Sequence, residues 1–311
     1  GSVIRDILII NDDDIWAVGN IYKSAYNDTL YNVLHWDGHK WDYFSIPIWI
    51  DYGETIFNRP IQLMSIFKTQ DNYLFITSEA GGLSYYDGKS WICVNIPPFP
   101  YPAPVCARIW GTTKDNLYFA NAIGTITHFD GKKFEFLETG NKIYLTDIYG
   151  TSDGKEIWAC GFDVFTMESV LLRVNGNKVE KLYEYSPDKR DPLFDQNVVS
   201  SIWCTDKGFF VLSGGGYDYY TQSYLNRNVS THTTIKNGTG PYRIRGTALN
   251  DIFSVGDDAV VWHYDGLKWT DDRSQQILYS TLFALDVKGN TIVTGGNGPG
   301  GSYAFIMLGR R

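Results

Sequence analysis

Leu34–Trp41 reads LHWDGHKW, and the same frame returns at Ser84–Trp91 (SYYDGKSW), Thr127–Phe134 (THFDGKKF) and Trp262–Trp269 (WHYDGLKW). Asp-Gly between two aromatic-rich runs is a strong hairpin signal, because a tight turn needs residues that tolerate positive φ. A two-residue turn sets Leu34 opposite Trp41 and Trp262 opposite Trp269, which makes the aromatic a cross-strand anchor. Asn175-Gly176 takes the same place in another unit, since Asn also tolerates the left-handed region. Four copies on separate units cannot converge on one centre. Asp37, Asp87, Asp130 and Asp265 are therefore expected to be scaffold, and so are His35, His128 and His263, which precede the turns.

Working outward, each Asp-Gly hairpin closes a longer unit of apolar strand, short polar turn, apolar strand, variable loop and third strand. The first strands align through Ile7, Ile66, Ile109, Ile148, Ile202, Ile244 and Phe283, at spacings of 59, 43, 39, 54, 42 and 39 residues. Four strands repeating every 40–50 residues or so is the pattern of a propeller blade. No segment carries a sustained helical period. The expected fold is all-β: a seven-bladed β-propeller of four-stranded antiparallel blades, the last lacking its outer strand. It forms one domain, residues 1–311, with blades at 3–47, 62–97, 105–140, 143–185, 197–238, 241–272 and 278–311.

Composition narrows the partners. The net charge is −8 and the pI is near 5.1, which lacks the basic footprint of nucleic-acid binding. No apolar run reaches the length of a membrane span. Cys93, Cys106, Cys160 and Cys204 show no metal-type spacing with the histidines. Cys93 and Cys106 flank a proline-rich loop, where pairing and free thiols both remain open. No nucleotide, flavin, hydrolase-elbow or metalloprotease signature is present. Neither a cofactor nor a metal is expected, and the chain reads as a monomer.

NDDDIWAVG followed by VLHWDGHKW resembles the DVWAVG…HWDGxxW propeller repeats of bacterial secreted and surface proteins. DNYLFITSEAGGLSYYDGKSW is similar to the repeats of two-component regulator propellers, which are periplasmic sensor modules. The resemblance implies blade architecture and an extracytoplasmic setting, and it leaves the ligand open. The turns depart from the Asp-box of sialidases, S-x-D-x-G-x-T-W, because here Asp and Gly are adjacent.

Long loops fall on one face of the disc. They follow second and fourth strands, at 20–29, 46–60, 96–104, 161–169, 186–196, 214–222 and 295–301, whereas the opposite turns are short. A rigid scaffold that varies on one face marks that face as the binding surface. Its aromatics Trp49, Tyr52, Tyr101, Phe165, Tyr217 and Tyr219 suit stacking against a glycan or a protein segment. Beside the aligned isoleucines stand Asp6, Ser65, Arg108, Asp147, Ser201 and Arg243, with Arg245 one residue beyond Ile244. These groups either pair among themselves around the channel or hold an anionic or sugar ligand through Arg108, Asp147, Arg243 and Arg245. The expectation is a binding module with a glycan or protein ligand at the channel mouth. A glycoside hydrolase or lyase using two of Asp51, Glu54, Asp163, Glu168, Asp195 and Asp218 is the enzymatic alternative. A structural assembly subunit is the third reading.

Overall fold

The structure, a computed structural model, describes residues 1–23, 29–51, 56–94, 106–186, 188, 198–206, 210–215, 220–225, 229–234 and 241–311. The first blade sets the plan: Val3–Asn11, Asp14–Ile21, Tyr31–Trp36 and Trp41–Phe44 pair in chain order from the channel outward. Five more sheets follow the same order. The sheet founded by Thr281–Lys288 stops at three strands, Thr281–Lys288, Thr291–Asn297 and Ala304–Arg310. The propeller therefore has six blades of four antiparallel strands, not the seven expected. Counting first strands overcounts, because the last one founds a sheet with no Asp-Gly hairpin and no fourth strand.

The hydrophobic core is a ring of clusters lying between neighbouring sheets. One joins Trp110, Tyr118 and Ile126 of the third blade to Leu145, Ile157 and Leu172 of the fourth. Another closes the ring, packing Ala284 and Val293 of the three-stranded sheet on Ile4, Ile7 and Ile15. Closure is tight at Gly295, where an added Cβ would lie 2.9 Å from the Ile4 side chain. Polar clips reinforce it: Ile9 N–H donates to Asp286 (2.7 Å) and Thr291 Oγ1 to Asp12 (2.5 Å).

The Asp-Gly turns are longer than a two-residue loop. Trp36 faces Trp41, Tyr86 faces Trp91, Phe129 faces Phe134 and Tyr264 faces Trp269, so Leu34 pairs with Tyr43 and Trp262 with Asp271. The Asp side chain explains the difference. Asp37 Oδ1 accepts the amides of His39 and Lys40 at 2.9 Å, and Asp87, Asp130 and Asp265 repeat the pattern. This side-chain cap spans four residues and leaves only the glycine at positive φ, from 86° to 93° in the four copies.

The histidines are spent inside their own blades. His35 stacks on Trp16 (4.0 Å) and meets Asp14 at 2.9 Å. His128 stacks on Tyr118 (4.3 Å) and meets Asn116 at 2.9 Å, and His263 stacks on Phe253 (4.3 Å) and meets Asp251 at 3.1 Å. The fourth blade places Arg173 and Glu156 in ion-pair contact at this position.

The 46–60 segment is a β-hairpin, Pro47–Asp51 with Ile56–Pro60. Ile48 and Ile50 turn into the cluster of Trp16, Val18, Ile66 and Ile76. Buried Asn32 clamps both ends, donating to the Ile46 and Ile61 carbonyls at 2.8 and 3.0 Å and accepting from Ile46 N–H at 2.8 Å. Cys93 is an exposed free thiol, so it forms no bridge to Cys106, and Cys160 and Cys204 are buried free thiols. Among the described residues, no helix is long and apolar enough to cross a membrane.

Candidate functional site

Every inner strand carries a bulge at one register position. Pairing with the second strand skips one residue between Ile4 and Asp6, Leu63 and Ser65, Cys106 and Arg108, Leu145 and Asp147, Val199 and Ser201, Pro241 and Arg243, and Leu282 and Ala284. A bulge leaves one residue unpaired and re-aims its side chain. Six of the seven skipped residues, Arg5, Met64, Thr146, Ser200, Tyr242 and Phe283, line one funnel of about 510 Å³, together with Arg108, Arg243 and Tyr144. Phe162, Asp163, Val164 and Phe165 complete the wall from the loop after the fourth blade's second strand, so the funnel opens on the long-loop face. The register also corrects the alignment of first strands: Leu285, not Phe283, is equivalent to the isoleucines.

One residue past each bulge lies the channel wall, and it repeats in threes: Asp6, Ser65, Arg108, then Asp147, Ser201, Arg243, then Ala284. Ser65 Oγ donates to Asp6 at 2.7 Å and Ser201 Oγ to Asp147 at 2.5 Å. The same carboxylates accept Ile66 N–H (3.0 Å) and Ile202 N–H (3.1 Å). The serines in turn accept Ile109 N–H (3.4 Å) and Ile244 N–H (3.1 Å). These bonds satisfy edge amides of the inner strands, which have no further strand to pair with.

The arginines differ in what they hold. Arg243 and Arg245 contact buried Asp147 at 2.7 and 3.0 Å. Burial opposes the Arg245 charge, but Asp147 outweighs it and its pKa rises above the ordinary value. Arg108 turns its fork onto the carbonyls of Met64 and Arg5. Both Asp147 and Arg243 are thus committed to the wall, although Arg243 also borders the funnel. Tyr149, beneath Arg245 at 5.1 Å, is pushed up to about 12 by burial.

At the rim Asp163 Oδ1 accepts the amides of Phe165 (2.7 Å) and Thr166 (3.0 Å), and Met167 N–H closes the turn on the Asp163 carbonyl (2.9 Å). The turn displays Phe165 at 92% exposure. Across the ring, Asp258 Oδ1 accepts Tyr279 N–H (2.7 Å) and Tyr279 is 84% exposed at φ +62°. Met167, Asp258, Ala259 and Tyr279, all at positive φ, lie on this face. Strained backbone of this kind gathers at ligand clamps.

The expected site residues divide accordingly. Arg108, Phe165 and Arg243 line the funnel, and Asp147 and Arg245 lie in the wall next to it. Trp49 sits on the hairpin over the first two blades, outside the funnel lining. Tyr52, Tyr101, Tyr217 and Tyr219 lie outside the described residues, as do the side chains of Asp51, Glu54, Asp195 and Asp218. Asp163 and Glu168 border a second pocket of about 310 Å³. Glu168 accepts the Thr166 hydroxyl (3.0 Å), and backbone amides hold the Asp163 pKa below the usual carboxylate range. A carboxyl so held is a poor general acid. Among the described residues, no group of three His, Cys, Asp or Glu converges on a metal position.

Arg5, Tyr242 and Phe283 are funnel residues that the sequence pattern misses. The bulge residues share no type, so nothing in composition or period marks them.

No protein-family model matches the chain, and no curated protein sequence matches it. Solved structures do match in fold. One titled YCF48 bound to D1 peptide shares 13% identity, with 99% of this chain and 92% of that chain covered and a TM-score of 0.70. YCF48 from Cyanidioschyzon merolae gives 13% identity, 100% and 95% coverage and a TM-score of 0.65. The WD40 β-propeller domain of Doa1 gives 12%, 100%, 93% and 0.66. At that level of identity the likeness establishes one thing: over its whole length this chain shares the β-propeller fold.

Proposed function

We propose that the chain is a recognition module that holds a segment of a partner protein in the funnel at the channel mouth. The carrying observation is the bulge repeated in every inner strand, which in six of the seven sheets turns a residue toward a common cavity. Met64, Phe162, Val164, Tyr242 and Phe283 make the walls largely apolar, with arginines placed among them. Such a lining suits a peptide, whose side chains fill apolar walls while a few polar groups fix its direction. A sugar needs several planar acceptors for its hydroxyls, and Asp163, the one carboxylate among the described lining residues, already accepts two amides. One propeller of similar fold carries a bound peptide in its title, which is consistent with this use of the scaffold. The extracytoplasmic setting rests on the resemblance of the repeats alone.

Phe165 is the anchor. It is exposed in the absence of ligand and contributes nothing to the core, so Phe165→Ser tests binding without a folding penalty. Peptides selected from a random display library on the full chain should lose about 30-fold in affinity with F165S, the loss typical of an aromatic hot spot. A glycan array that yields ligands when the peptide library yields none overturns the reading.

A further inference from the structure

Arg5 stands apart from the other channel arginines. Arg243 and Arg245 share the Asp147 carboxylate, and Arg108 is anchored on two carbonyls. The Arg5 guanidinium makes no ion pair among the described residues; its Nε is buried with no hydrogen-bond partner, as is that of Arg108, but Arg108 spends both of its Nη groups on carbonyls. The Arg5 guanidinium lies 5.0 Å over the face of Phe283, which contacts Tyr242 at 5.9 Å with the rings tilted by 51°, so three adjacent bulge residues form a continuous row on one wall. Burial and the neighbouring Arg108 lower the Arg5 pKa, and the smaller opposing influences of Tyr144 and Glu79 do not offset them. A desolvated cation beside another cation is costly unless something of opposite charge meets it.

We propose that Arg5 is the carboxylate-binding residue of the funnel, and that the bound segment presents an acidic side chain or a free C-terminus to it. The inference rests on the funnel being the peptide site. A guanidinium presents a planar fork that matches a carboxylate in a bidentate pair. Its contact with the Phe283 ring holds the guanidinium against this wall. A dianionic phosphate would call for further donors, and the other guanidiniums at this level are already engaged.

The direct test uses the full chain with ¹⁵N-labelled arginine, titrated with 3-phenylpropanoate and, separately, with 3-phenylpropanamide. The Nε–H signal assigned to Arg5 by its loss in Arg5→Lys should shift saturably with the acid alone. Equal shifts with the amide, or shifts confined to other arginines, overturn the proposal. In the second arm, library-selected peptides should be rich in Asp or Glu, or should need a free C-terminus, as amidated copies will show. Their affinity should fall about tenfold or more in Arg5→Gln and recover partly in Arg5→Lys. Peptides sensitive to F165S and indifferent to R5Q leave the funnel reading standing and overturn the role of Arg5. A library that yields no peptide overturns both. R5Q should melt at or above the wild-type temperature, since it removes an unpaired charge, and a clear drop would mean that Arg5 is a structural residue.

Discussion

Two glycines of the repeat separate conformation from contact. Gly88 and Gly131 hold nearly the same φ, +93° and +86°. A Cβ on Gly88 meets nothing within 4 Å, whereas one on Gly131 lies 2.6 Å from the Asp115 side chain. Gly88→Ala should cost about 1–2 kcal/mol from the left-handed backbone alone, and Gly131→Ala should cost more, both read from urea midpoints. His128 sets a pH dependence. Burial lowers the His128 pKa below 6.5, so the unfolded chain binds its proton more readily. That contribution to stability is complete above the unfolded value and is lost as pH falls through it toward the folded pKa. Wild type should lose melting temperature between pH 7.5 and 5.5, and His128→Gln should lose less. Glu156 and Arg173 take the place of Asp and His in the fourth blade, and Tyr73 packs on Tyr85 in the second, so the position tolerates a change of chemistry.

Asn32 decides whether an element stays docked. The Pro47–Pro60 hairpin is held at its neck by three hydrogen bonds from one buried amide. Asn32→Ala leaves those carbonyls and an amide unsatisfied, at about 1–3 kcal/mol, and hydrogen exchange should rise first in the hairpin. The elements were legible in the sequence wherever local rules decide them: LHWDGHKW announces a hairpin because Asp and Gly are what its turn needs. The turn length was not legible, since the Asp carboxylate caps two amides and lengthens a loop that a two-residue reading made tighter. The bulge was invisible for a different reason. It is a slip in pairing, and the residues it ejects run from Arg5 to Met64 to Tyr242, with no chemical property in common. Its only trace was the misalignment of Phe283 by two positions.

For the whole molecule, the channel wall carries two copies of an Asp-Ser-Arg triplet, and they are not equivalent. Asp147 is in ion-pair contact with two arginines, whereas Asp6 is held by Ser65 and by the amides of Ile66 and Ile7. Asp147→Asn should therefore cost about 3–5 kcal/mol, the consequence of stranding buried cations. Asp6→Asn should cost about 1–3 kcal/mol, and chemical denaturation of the two variants measures the difference. The blade count shows the limit of pattern reading at this scale. A period identifies how many first strands there are, but the number of full blades depends on which of them is completed by a fourth strand.

The bulges also divide the inner strands into two independent stretches of text. Residues on the channel side of the slip close the ring and satisfy edge amides, so they answer to stability. The residue at the slip borders the funnel and takes no part in those edge-amide bonds, although the Thr146 hydroxyl ties its blade to the next by donating to the Ser200 carbonyl (2.7 Å). Arg5, Met64, Ser200, Tyr242 and Phe283 can thus be rewritten together while the barrel beneath them keeps its wording. A library randomised at those five positions should yield folded chains at high frequency and new ligand preferences among them.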